Sequence, residues 1–90
     1  MPTASREIVV SNTLGLHARP AMQFVDVANQ FQATVKVWKA DQMVDGKSIM
    51  QMMMLAATAG TALKIVAEGD DAPKALDALE ELVNNRFGEE

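Results

Sequence analysis

Ninety residues with eight Lys/Arg, twelve Asp/Glu and one histidine carry a net charge of −4; 49% are hydrophobic, and cysteine is absent. A chain this short is expected to form one domain, residues 1–90, burying little more than about 60% of its unfolded surface, and without disulfides or thiolate zinc it suits the cytoplasm. Residues 1–7 lack a basic-then-apolar leader, the apolar stretch 49–59 falls short of the roughly 20 residues a bilayer span needs, and no basic patch with interleaved aromatics invites nucleic acid.

Residues 6–12 are β-branched and alternating, with Ile8 and Val10 on one face, and predict a strand. Thr13-Leu14-Gly15-Leu16 is the turn that leads to His17. From Ala18, the apolar residues Ala21, Met22, Val25, Ala28 and Phe31 recur every three or four positions, predicting an amphipathic helix that ends near Gln30. Residues 33–40 alternate again, with Val35 and Val37 on one side and Lys36 and Trp38 on the other, and Met43-Val44 makes a short third strand. Ser48 opens a short helix whose stop is expected at Gly60. Residues 61–68 predict a fourth strand with Leu63 and Ile65 inward. Asp71 then caps a last helix with Pro73 in its first turn and Ala75, Leu76, Leu79, Leu82 and Val83 as its apolar stripe. The order βαββαβα, with one apolar face per element, fits an α+β open-faced sandwich: an antiparallel sheet covered by helices on a single side.

Charge is unevenly spread along this order. Residues 1–67 hold six Lys/Arg against four Asp/Glu, or +2, while residues 68–90 hold two against eight, or −6. The first portion therefore suits acidic protein partners, with attraction that salt would weaken.

His17 stands in Gly15-Leu16-His17-Ala18-Arg19-Pro20-Ala21, between the first strand and the first helix. A histidine at a helix start ordinarily only caps it, but these neighbours favour chemistry. A neutral imidazole offers one nitrogen lone pair that can attack phosphorus. If His17 caps the helix, the amides of Ala18 and Arg19 lack intrahelical acceptors, and an incoming phosphoryl group meets donors and the positive end of the helix dipole. Arg19 adds a mobile guanidinium, and Pro20 stiffens the entry without removing a helical bond. No base, metal cluster or Gly-x-x-x-x-Gly-Lys loop accompanies them, so neither metal nor cofactor is expected. A phosphoryl-transfer intermediate charged by another protein is expected rather than a stand-alone enzyme.

The heptapeptide resembles the active-site segment of the HPr family, the histidine-containing phosphocarriers of the phosphoenolpyruvate-dependent phosphotransferase system. The likeness returns in Gly46-Lys47-Ser48-Ile49-Met50 and Ala67-Glu68-Gly69-Asp70-Asp71. The resemblance implies four antiparallel strands in spatial order 1-4-2-3 with three helices on one face. It also implies that His17 accepts phosphate on Nδ1 from phosphorylated enzyme I and donates it to an enzyme IIA-type acceptor in sugar uptake. Arg19 would assist, and the amides of Ala18 and Arg19 would hold phosphate oxygens. Leu14 departs from the asparagine that many members carry three residues before the histidine, although the Asn-x-Leu-Gly form of Asn12 to Gly15 also occurs in the family. A monomer is expected.

Ser48-Ile49-Met50-Gln51 fits a capping box. The resemblance adds a regulatory role for Ser48, because Gram-positive relatives phosphorylate a serine in a similar context through an ATP-dependent kinase and thereby recruit a transcription regulator. Met50, Met52, Met53 and Met54 crowd one short helix, with Met52 and Leu55 expected inside. Met50 and Met53, extended by Leu16 and Ala21, are expected to form an adaptable apolar partner surface beside His17. The tail 84–90 is similar to that of nitrogen-branch relatives. A regulatory-branch carrier, or a non-catalytic effector module controlled through Ser48, is thus the alternative to sugar uptake.

Overall fold

Alternation along the strands builds a sheet with one dry face, and the computed structural model describes it over residues 2–89; Met1 and Glu90 lie outside the described residues. The elements run β1 Thr3–Val9, α1 Ala18–Ala28, β2 Thr34–Lys39, β3 Gln42–Asp45, α2 Ile49–Met54, β4 Ala62–Glu68 and α3 Ala72–Asn84. A single 3-10 turn, Arg86–Gly88, follows. The four strands are antiparallel in the order β1-β4-β2-β3. Register pairs Ile8 with Leu63, Val35 with Ala67, and Val37 with both Ile65 and Val44, so one buried row crosses every strand. These residues join Phe24, Met52, Leu76, Leu79 and Val83 from the three helices, and Leu55 just past α2, in one core. The opposite face carries Glu7, Lys64, Lys36 and Asp45 to solvent. Among the described residues, no helix is long and apolar enough to cross a membrane.

Several boundaries differ from the expected ones, each for a local reason. β1 begins three residues earlier and stops at Val9, where its register with β4 ends at Ala62, although Val10 still bonds Thr61 and Gly60 through the backbone. In α1 the buried stripe includes Pro20 and Phe24, whereas Met22 faces solvent. α2 ends at Met54, not near Gly60, because Ala56 takes a left-handed φ of 50° and breaks the helical path. Lys39 reaches the freed end, its Nζ donating to the carbonyl of Leu55 at 2.9 Å.

Asp71 occupies the cap position of α3, yet its carboxylate makes no cap bond to that helix. It accepts instead from the backbone N–H groups of Gln32 and Ala33, each at 2.8 Å. These bonds hold its carboxyl below the usual range, against the opposing effect of partial burial. The carboxylate thus ties the α1–β2 connection to the start of α3. At the other end of α3, Phe87 turns back into the core with φ 55° and is buried. That anchor decides where Glu89 goes.

Candidate functional site

The strand-to-helix connection is held by a bond from its middle to a distant loop. Leu16 N–H donates to the carbonyl of Ala57 at 2.8 Å, and Gly15 lies against Ala57 and Thr58 with φ 71°. A side chain at Gly15 would overlap the Ala57 carbonyl oxygen, so only glycine permits this approach. The chain then enters α1 with His17 at the N-cap in extended conformation, φ −79° and ψ −174°. Its side chain makes no cap bond and is 37% exposed.

Ala21 N–H bonds the His17 carbonyl at 3.1 Å, and Pro20 has no N–H. The amides of Ala18 and Arg19 are therefore the donors at the helix mouth without an acceptor among the described residues. Arg19 is exposed and pairs with no carboxylate among those residues. His17, Ala18 and Arg19 are thus brought together at one helix end, on the surface.

Two residues that the sequence reading did not single out complete the site. Glu89 Oε1 lies 2.8 Å from His17 Nε2 and 2.9 Å from Asn12 Nδ2. Asn12 is fully buried and also donates to the Gly15 carbonyl at 2.7 Å, while its Oδ1 has no partner among the described residues. The hydrogen bond from His17, that from Asn12 and the charge of Arg19 all hold the Glu89 carboxyl below the usual range, against partial desolvation. Asn12 was detectable as a polar residue closing an alternating apolar strand. Glu89 carried no local signal, because it meets His17 across 72 positions.

The expected partner surface is corrected in two places. Leu16 is 5% exposed and Ala21 0%, so both belong to the core: the bond to Ala57 turns Leu16 inward, and Ala21 lies on the buried stripe of α1. Met50, at 76%, and Met53 face solvent on α2, which packs against α1. Met22, Ile49 and Met54 are exposed with them, while Met52 and Leu55 are inside. Ser48 caps α2, its Oγ accepting from Gln51 N–H at 3.2 Å. The reciprocal half of a capping box is missing. Gln51 Oε1 accepts from Asp45 N–H at 2.8 Å, and Ser48 N–H goes to the Asp45 carbonyl.

A shallow depression of about 540 Å³, lined by Glu7, Trp38 and Lys64 among others, lies on the helix-free sheet face. The chemistry of His17 is that of an exposed protein surface.

Comparison with known proteins agrees with this geometry. The family profile described as the PTS HPr component phosphorylation site matches residues 4–85. Phosphocarrier protein HPr of Pseudomonas putida is 52% identical over 86 residues, covering 94% of this chain and 96% of that protein. The crystal structure of HPr-C-His from Thermoanaerobacter tengcongensis superposes with a TM-score of 0.93 at 42% identity, covering 97% of this chain and 98% of that one. A phosphocarrier protein HPr from Bacillus anthracis gives 0.86 at 42% identity over 90% of this chain and 96% of its own. Half the residues shared over nearly the full length, on the same backbone path, leave one assignment: the chain belongs to the HPr family of phosphocarriers of the phosphotransferase system.

Proposed function

We propose that His17 takes a phosphoryl group on Nδ1 from phosphorylated enzyme I and passes it to an enzyme IIA-type acceptor, serving sugar uptake from the cytoplasm as a monomeric 1–90 unit. The observation that carries the reading is a solvent-accessible imidazole at the mouth of α1 beside two amides without acceptors among the described residues. In the transfer, the Nδ1 lone pair forms the N–P bond while the bond from phosphorus to the donor nitrogen breaks. That electron pair stays on the donor. Nε2 keeps its hydrogen, so the receiving ring becomes a phosphoryl-imidazolium, and reversal against an acceptor returns it to neutral imidazole.

Such a loose transfer needs in-line positioning and charge neutralisation more than covalent assistance. The amides of Ala18 and Arg19 supply fixed donors for the phosphoryl oxygens. The dipole of α1 and the Arg19 guanidinium offset their charge. Met50 and Met53, with Met22, Ile49 and Met54, are the apolar surface on which enzyme I and the acceptor alternate; their unbranched side chains repack for different partners.

Mass spectrometry after incubation with phosphoenolpyruvate and enzyme I tests the reading. One acid-labile phosphate on the wild type and none on His17→Ala is the expected result. Equal labelling of both overturns it. Transfer to a nitrogen-type acceptor rather than a sugar-specific one would assign the regulatory branch, which the likeness of the 84–90 tail favours. Ser48 supports a further regulated state, since a phosphate there would sit at the start of α2 beside the methionines. A serine kinase with ATP is the direct trial.

A further inference from the structure

We infer that Glu89 is a positioning residue for phosphoryl transfer: it fixes the ring of His17 so that Nδ1 presents its lone pair, and it is the counter-ion of the phosphorylated ring. The inference rests on the proposed role of His17, and its geometry stands on three contacts.

The donor pattern leaves one arrangement. Ionised Glu89 only accepts hydrogen bonds. The Gly15 carbonyl also only accepts, so the buried amide of Asn12 must turn Nδ2 toward both and leave Oδ1 without a partner among the described residues. An Asn12 amide rotated the other way would face two acceptors with an oxygen. Against the same carboxylate, His17 Nε2 at 2.8 Å must be the donor. In a neutral imidazole the other nitrogen, Nδ1, then holds the lone pair. Nδ1 makes no hydrogen bond among the described residues.

The same contact acts after transfer. Once Nδ1 carries phosphorus and Nε2 keeps its hydrogen, the ring is cationic, and the nearest carboxylate that faces its N–H is Glu89. A cationic ring is the better leaving group, so the carboxylate sustains the form ready to donate. Phe87 makes this reliable. It is buried two residues before Glu89 and pins a segment that would otherwise fray.

The test compares Glu89→Ala and Glu89→Gln with the wild type in two ways. Imidazole ¹H–¹⁵N spectra of the unphosphorylated chain should place the hydrogen on Nε2 with slowed solvent exchange; Glu89→Ala should lose that protection, and Glu89→Gln should keep part of it through its amide oxygen. The initial rate of phosphorylation by enzyme I should fall about threefold to tenfold in Glu89→Ala, as for loss of one partly exposed charge-assisted hydrogen bond, with partial recovery in Glu89→Gln. A wild-type ring with its hydrogen on Nδ1, or wild-type exchange and rate in Glu89→Ala, overturns the inference. The spectra need no phosphate, so a failure of the His17 reading, seen as labelling of His17→Ala, remains distinguishable.

Discussion

Leu16 N–H and the carbonyl of Ala57 meet at 2.8 Å, so the loop that carries His17 hangs from the chain that leaves α2. The same approach presses Gly15 against Ala57 and Thr58. The geometry of the site and the end of α2 are thereby coupled through one backbone bond and one missing side chain.

Gly15→Ala is the sharpest probe of that coupling. The new Cβ would stand 2.9 Å from Thr58 Cα and overlap the Ala57 carbonyl, on a residue with φ 71°. Left-handed strain and the displaced loop together should cost about 2–4 kcal/mol, read from urea unfolding. Phosphorylation of His17 should slow in the folded fraction.

Removing the Phe87 ring leaves a hole beneath the segment that ends at Glu89. Phe87→Ala should destabilise the fold by about 3 kcal/mol. Unlike a core change in α3, it should also release the Nε2–H of His17 to fast exchange, which the ring spectra report.

The methionines of α2 divide by face. Met52→Ala should cost about 2–4 kcal/mol, because Met52 is fully buried. Met50→Ala should stay within about 0.5 kcal/mol of the wild type while raising the KM for enzyme I, as an exposed contact residue should. Thermal melts with steady-state phosphorylation separate the two outcomes.

Ser48→Ala removes the acceptor for Gln51 N–H and should lower stability by about 1 kcal/mol, the ordinary cost of an N-cap. Chemical denaturation measures it. Phosphoryl flow through His17 should continue in this variant.

Acid should weaken the fold through Asp71 and Glu89. Both carboxyls are held below their ordinary range in the folded chain, Asp71 by the N–H of Gln32 first and Glu89 by His17 first. A depressed folded value means stability that is complete above the unfolded carboxylate value, about 4, and is lost as pH falls through the folded one. The urea midpoint should therefore hold from pH 6 to about 4.5 and decline below about 4, and Asp71→Asn should show a smaller decline.

Periodicity made the element order legible: Ile8 with Val10, Val35 with Val37, and Leu63 with Ile65 alternate at the strand period, and Leu76, Leu79 and Val83 repeat at the helical one. Such patterns report which residues leave water, a local property. They were blind to Leu16, whose N–H is tied to the chain after α2, whereas Ala21 lay on the helical stripe and is buried with it. Asp71 misled for a related reason, since its carboxylate found backbone donors at Gln32 and Ala33 better placed than those of its own helix.

By itself the sequence determined the βαββαβα order, the dry face of the strands and the helix-mouth placement of His17 ahead of two amides that a helix start leaves without intrahelical acceptors, because each follows from interactions within a few residues. Tertiary structure alone decided what faces the other nitrogen of that ring. Glu89 meets His17, with Asn12 bonded to the same carboxylate and Phe87 buried two residues before it, only when β1, α3 and the closing turn are packed together, and a contact across 72 positions leaves no periodic trace in the chain.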